Sequence, residues 1–211
     1  GSKLQEALGE KYLVIPGMRY GTPSIAEALA QMKEQGVEHI VVFPLYPQFA
    51  HSSTTSSIEK VKLVLKQMEW TVKTDVVPAF YNDEGMIAGF VAQSRSVFAD
   101  FDPDHVLFSF HGLPERHILE VDQSNNHCLK SQDCCKEICS KNRDCYRAQC
   151  HETARHIAAA MSLPESQWST CFQSRLGRTK WIEPYTDVLL DELPAQGVKR
   201  LAVFCPAFVA D

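Results

Sequence analysis

His111 stands one residue past the apolar run 105–110 and is followed by Gly112 and Pro114, which places it at the carboxyl end of a buried strand. A neutral imidazole in that position can accept a proton or touch a borderline metal ion. A histidine satisfied by a main-chain carbonyl would look the same in sequence. Further on, "HCLKSQDCCKEICSKNRDCYRAQC" (127–150) holds six of the eight cysteines: Cys128, Cys134, Cys135, Cys139, Cys145 and Cys150. Their spacing, C-x5-C-C-x3-C-x5-C-x4-C, matches neither a zinc ribbon nor a ferredoxin. Density alone therefore leaves a metal cage, a disulfide knot and free thiols open. The absence of a signal-peptide pattern points to a cytoplasmic location, which ranks metal binding ahead of disulfides.

Other loops carry polar groups that could grip a ligand. Arg19 and Tyr20 precede a helix in "PGMRYGTPS", a combination suited to an anion and a flat apolar ring. "FPLYPQFAHSSTTSS" is rich in hydroxyls and contains His51, although a Ser/Thr run before a helix is ordinarily a cap. "FQSRLGRTKWIEPYTD" supplies Gln173, Ser174, Arg175 and Trp181. No G-x-S-x-G, G-x-G-x-x-G or Walker loop is present, so serine-hydrolase, dinucleotide and nucleotide chemistry lack support. The net charge of −5 gives no electrostatic footprint for nucleic acid. No apolar stretch approaches the roughly 18–20 residues that cross a bilayer.

The elements that must position these groups form a β/α ladder. Strands are predicted at 12–16, 39–44, 70–77, 105–110, 168–172 and 200–204, and helices at 23–34, 56–68, 83–98, 147–161 and 184–193. This alternation predicts parallel α/β sheets. An internal echo supports two similar lobes: "EQGVEHIVVFPLYPQF" and "AQGVKRLAVFCPAFVA" align at a constant offset of 161 residues, which also pairs Pro23 with Pro184 and Tyr20 with Trp181. The acidic, proline-containing stretch "FADFDPDH" suggests lobes at 1–100 and 101–211, with an inserted cysteine segment at 118–146. Ligands of such folds bind beyond the carboxyl ends of the strands. The final strand runs straight into the chain end at Asp211, so a segment of a longer protein is expected.

The blocks "MRYG-PSI-EAL", "FPLYPQF", "SFHGLPER", "FQSRLGR--W--PYTD" and "PAFVAD", in this order across nearly the whole chain, resemble the ferrochelatases. The resemblance implies two Rossmann-like lobes with a porphyrin clamped between them and insertion of ferrous iron into protoporphyrin IX. His111 then matches the family's active-site histidine, proposed to take pyrrole protons, to bind the substrate iron, or both. Asp211 matches an acid networked with it. Arg19, Tyr20, Gln173, Ser174 and Trp181 match pocket residues around the macrocycle. The family's glutamate just after the position of Asp211 lies past the end of this sequence, which puts the activity of this stretch by itself in doubt.

The resemblance is continuous to "HGLPERH" and resumes at "YRAQCHETAR", so the cysteines read as an insertion. Because several ferrochelatases hold a [2Fe–2S] cluster, four of Cys128, Cys134, Cys135, Cys139 and Cys145 are expected to ligate one, with zinc second; Cys150 ranks last. The cysteine pattern of animal relatives does not transfer, since its loop position here is His51. Partners implied are the porphyrin, ferrous iron and, through a greasy substrate, peripheral membrane contact. Insertion of another metal, action on coproporphyrin, and a non-catalytic tetrapyrrole-binding lobe are the alternatives, and oligomeric state is not legible.

Overall fold

A computed structural model describes residues 1–207. Its order is α1 (Ser2–Leu8), α2 (Ile25–Glu34), β1 (His39–Val42), α3 (Ser56–Gln67), β2 (Lys73–Val76), α4 (Glu84–Asp100), β3 (His105–His111), α5 (Glu115–Leu119), α6 (Tyr146–Ala160), β4 (Trp168–Gln173), α7 (Thr186–Glu192) and β5 (Leu201–Phe204). All strand pairs are parallel, β1 with β2 in one sheet and β4-β3-β5 in the other. The chain divides into two units, 1–44 with 51–78 and 45–50 with 79–211. The changeover expected near residue 100 falls inside the second unit, because α4 packs on α6 there.

Local chemistry sets the element ends in the first unit. Ser24 caps α2 through a complete capping box with Glu27. Ile25 and Leu29 bury against Ile40 of β1 and Val61 and Val64 of α3. The predicted strand at 12–16 does not form. The Gln5 side chain takes the N–H of Val14 and donates to the carbonyls of Gly9 and Tyr12, so this segment is tied to α1 rather than to a sheet. Helix α1 itself was not legible in the sequence: it buries no residue and has no side-chain cap.

The second unit is built on β3, buried from His105 to Phe110 between two parallel neighbours. A strand covered on both faces and both edges reads as a continuous apolar run. Phe108 meets Trp168 edge-on at 5.8 Å and Phe204 at 5.4 Å. Each fully buried phenylalanine contributes about 1.5–3 kcal/mol. Helix α6 closes one side with Ala148, Cys150, Ala154 and Ile157, all fully buried. At the far end, the Asp104 carboxylate accepts the N–H groups of Lys199 and Arg200 and fixes the entry to β5.

The internal echo is structural. Val37 N–H bonds the Met32 carbonyl at 3.1 Å, and 161 residues on Val198 N–H bonds the Leu193 carbonyl at 3.2 Å. Gly36 and Gly197 both take positive φ there, 70° and 90°, ending a helix as glycine readily does. The peptide bonds before Pro23 and Pro184 are both cis. Helices α2 and α7 begin at equivalent positions.

His151 on α6 makes stability depend on pH. Its ring lies edge-on to Phe172 and its Nε2 is buried without a hydrogen-bond partner. Burial, helped by Arg147 and Arg155, pulls its pKa from the ordinary 6.5 down to about 3. Between those values the unfolded chain binds a proton that the folded chain refuses. The stability is therefore complete above pH 6.5 and is lost as pH falls, by about 1.4 kcal/mol per unit and about 2 kcal/mol at pH 5. Burial depresses His105 and His111 in the same direction. Urea midpoints are expected to fall steadily from pH 6.5 to 5, with a shallower slope in His151→Phe; an unchanged slope would count against a neutral buried imidazole.

Candidate active site

His111 is the last residue of β3, and its partner in register is Gln173, the last residue of β4. The peptide joining His111 to Gly112 is held at both polar atoms. Its carbonyl accepts the Tyr146 hydroxyl at 2.8 Å, and its N–H donates to the Gln173 carbonyl at 2.8 Å. Gly112 is required by space: a Cβ there would stand 2.9 Å from the Gln173 oxygen and 3.3 Å from Trp181 Cε3. Burial lowers the pKa of His111, so the imidazole is neutral and able to accept a proton near pH 7.

Trp181 joins this group from the loop after β4. It forms an isolated bridge with Pro114, donates Nε1–H to the Leu176 carbonyl at 3.0 Å, and accepts the Tyr185 hydroxyl at its own carbonyl. Ile182 N–H then bonds the Leu113 carbonyl, so the loops after β3 and β4 are stitched together. Ser174, exposed just past β4, sits at φ 68°, a left-handed conformation that a non-glycine residue adopts at a cost of roughly 1–2 kcal/mol. Thus His111, Gln173 and Trp181 come together, with Ser174 beside them on the chain. Asp211 lies outside the described residues.

Arg19 and Tyr20 belong to the first unit and are neighbours there. The guanidinium stacks over the phenol ring at 4.7 Å from its centroid, and Arg19 Nε donates to Ser56 Oγ at 3.1 Å. The hydroxyl-rich run does not cap α3 in the ordinary way. His51–Thr55 forms a π-helical turn that runs into α3, and Thr55 makes no side-chain cap bond. Such turns recur at functional sites. Tyr20 is 79% exposed, which leaves its ring available to a flat ligand.

The cysteine segment folds around two buried polar side chains rather than an apolar centre. Asp122 accepts the N–H groups of Ser124, His127 and Cys128 and the Ser124 hydroxyl, which hold its carboxyl well below the usual range. Asn142 donates to the carbonyls of Cys134 and Glu137 and accepts the N–H of Cys139. The thiols form a chain of neighbours. Cys128 neighbours Cys145, Cys145 neighbours Cys135, and the sulfurs of Cys135 and Cys134 are 3.8 Å apart, all as free thiols. All four are buried.

Arg147 Nη1 donates to the sulfurs of Cys135 at 3.2 Å and Cys134 at 3.8 Å, while its Nε holds the Glu183 carbonyl. The hydrogen bond with Cys128, followed by burial, pushes the Cys145 thiol up to about 12. Cys139 lies against His127, and the fully buried Cys150 against the Tyr146 hydroxyl. Among the described residues, no three His, Cys, Asp or Glu side chains are grouped so as to hold one metal ion. Zinc needs four convergent ligands at one point, whereas a [2Fe–2S] cluster is held by four thiolates shared between two irons. A chain of paired thiols with a guanidinium donor suits the second.

The sequence singles out His111, Gln173, Ser174 and Trp181 but gives no sign of Tyr146, Arg147, Asp122 and Asn142, which hold the surrounding backbone. Tyr146 and Arg147 follow Cys145 directly, and only the tertiary hydrogen bonds set them apart from ordinary residues of a helix start. Asp122 and Asn142 carried no signal beyond their turn-forming type.

Two α/β units with parallel strands, the second ending its central strand on His111, define a protein of the class that binds ligands past its strand ends. Family comparison makes the assignment specific. The ferrochelatase family model matches residues 1–211, and the chain belongs to that family. It is 48% identical over 195 residues to a ferrochelatase of Pseudomonas fluorescens strain SBW25, covering 92% of this chain and 57% of that one. It is 48% identical over 213 residues to a ferrochelatase of Ectopseudomonas mendocina strain ymp, covering 99% and 62%. A Pseudomonas entomophila ferrochelatase is 44% identical, with 99% and 63% covered. The chain thus spans about three-fifths of the length of the curated relatives it matches. Among the described residues no helix is long and apolar enough to cross a membrane.

Proposed function

We propose that the protein inserts ferrous iron into protoporphyrin IX in haem biosynthesis. The observation that carries this reading is the neutral His111, fixed at a strand end beside Trp181 in a chain of the ferrochelatase family. Metallation requires two pyrrole N–H protons to leave as the incoming iron sheds water. His111 receives protons from the macrocycle, and Trp181 with Gln173 and Ser174 supplies a wall. Within the first unit, Tyr20 backed by Arg19 pairs a flat ring with a positive charge, a combination that suits a flat ligand bearing carboxylates. Walls that hold the ring bent lower the barrier for an ion entering its face. The greasy substrate brings peripheral membrane contact from the cytoplasmic side.

The experiment is an anaerobic assay of porphyrin fluorescence loss with Fe²⁺, Co²⁺ and Zn²⁺, each against protoporphyrin IX and coproporphyrin III. Protein-dependent turnover with Fe²⁺ and protoporphyrin IX as the preferred pair supports the reading. Preference for coproporphyrin or for another metal moves the protein to that chelatase activity. Tight porphyrin binding without metallation makes it a carrier.

The cysteine module holds a [2Fe–2S] cluster in the same reading, with Cys128, Cys134, Cys135 and Cys145 as ligands and Cys139 and Cys150 outside the set. When bound, the cluster supplies a one-electron couple and a covalent tie across the loop. Arg147 donates toward two of the four sulfurs, the kind of hydrogen bond that tunes such a centre. Anaerobically purified protein is expected to show visible charge-transfer absorbance, two irons and two inorganic sulfides. Serine at position 128, 134, 135 or 145 should abolish the colour, while serine at 139 or 150 should leave it. Colourless protein with stoichiometric zinc would sink the cluster.

A further inference from the structure

We propose that Tyr146 is a positioning residue for His111, holding the imidazole in register through the main chain. This rests on the assignment of His111 to proton transfer. The peptide between His111 and Gly112 has two polar atoms, and both are used. Gln173 takes the N–H from the neighbouring strand, and the Tyr146 hydroxyl reaches 35 residues back along the chain to supply the carbonyl's donor at 2.8 Å. Displacement of that plane would drag the His111 Cα, from which the imidazole branches, and the two bonds together resist it.

The β3–β4 ladder ends at this pair, so beyond it the register is no longer enforced by strand pairing. Tyr146 is the first residue of α6, and its ring is buried in the core that holds β3. The donor is therefore anchored on a rigid element and not on a loop. Its chain neighbours are Cys145, one of the linked thiols, and Arg147, the donor to Cys134 and Cys135. The cysteine segment thus ends at the residue that clamps the His111 peptide.

The test uses Tyr146→Phe, which keeps the buried ring and removes only the hydroxyl. Two readouts are taken. In steady-state iron insertion, kcat is expected to fall about tenfold with the porphyrin KM within twofold of wild type. In chemical modification by diethylpyrocarbonate, followed site by site by mass spectrometry, the rate at His111 is expected to rise several-fold while those at His39 and His156 stay constant. The second readout needs no iron insertion, so it decides the positioning role even if the enzymatic reading fails. Rates at His111 and kcat both within twofold of wild type would overturn the proposal, as would an equal rise at all three histidines, which reports general loosening. Should the Phe variant not fold, 3-fluorotyrosine placed at 146 keeps both ring and hydroxyl. Its ¹⁹F resonance must then shift when His111 is carbethoxylated, and an unmoved resonance overturns the proposal equally.

Discussion

His111→Ala is expected to lower kcat for iron insertion by about 10²–10⁴-fold, the usual contribution of a positioned proton acceptor, while porphyrin still binds. In the proposed reaction the imidazole at the end of β3 is the base, and alanine would leave the pyrrole protons with no acceptor but water. The proposed walls, Gln173, Ser174 and Trp181, are held by the β3–β4 ladder and by loop hydrogen bonds of the main chain and of Trp181. The expected signature is thus a loss in kcat with little change in porphyrin Kd, measured by fluorescence titration and steady-state assay. A pH profile adds a sign. Since burial holds the His111 pKa below 6.5, activity should persist down to that value and fall only beneath it, as the folded protein's imidazole takes up its proton. An acid limb above pH 6.5 would assign the titration to another group.

Gly112→Ala should be nearly as damaging for a different reason. The new methyl group would meet the Gln173 carbonyl oxygen at 2.9 Å, and that oxygen is main chain that no rotamer can move aside. The same oxygen is the acceptor for Gly112 N–H, so relieving the clash means breaking the bond that holds the His111 peptide. Trp181 crowds the position from the other side at 3.3 Å. Overpacking of this kind costs about 1–3 kcal/mol. The chemistry should suffer more than the fold, because the displaced atoms belong to the reacting group's own backbone. We expect iron insertion at least 100-fold down, in line with a misplacement of about 1 Å, with a modest drop in the urea midpoint. Gly112→Ala with near-normal kcat would show that the His111 peptide tolerates movement, and the positioning argument for Tyr146 would fall with it.

How far these features could be read in advance follows from which forces fix them. Strands β1 to β5 lie within a few residues of their expected places because each is a short run containing β-branched or aromatic residues between turn residues, and β3 is mainly apolar since both its faces are covered. The run at 12–16 has the same local composition, but among the described residues it pairs with no strand, and the Gln5 side chain of α1 takes backbone groups of Tyr12 and Val14 instead. Strand propensity says what fits a sheet, not whether a sheet is there. His111 was legible from its place after a buried strand. The clamp on its peptide was not, because Tyr146 lies 35 residues away and its role exists only in the hydrogen bond.

The cysteines divide in the same manner. Their density signalled metal, but the order of the thiols depends on how Asp122 and Asn142 fold the loop, and spacing does not encode that. Of the five cysteines the sequence singles out, Cys128, Cys145, Cys135 and Cys134 lie as successive neighbours, while Cys139 turns to His127. In the first unit, the sequence offers Arg19 and Tyr20 as a grip for an anion and a flat ring, and the stacking of the guanidinium on the phenol is set by tertiary geometry that adjacency does not encode.

The central claim is that this protein carries a porphyrin past the strand ends and takes its pyrrole protons as iron enters. The most direct measurement is an anaerobic single turnover in which protoporphyrin IX, fully bound by excess protein, is mixed with Fe²⁺ beside a pH indicator. The account predicts one first-order loss of porphyrin fluorescence, unaffected by adding more protein, with two protons released per porphyrin metallated. Metallation at the same rate as free porphyrin under matched conditions would contradict it.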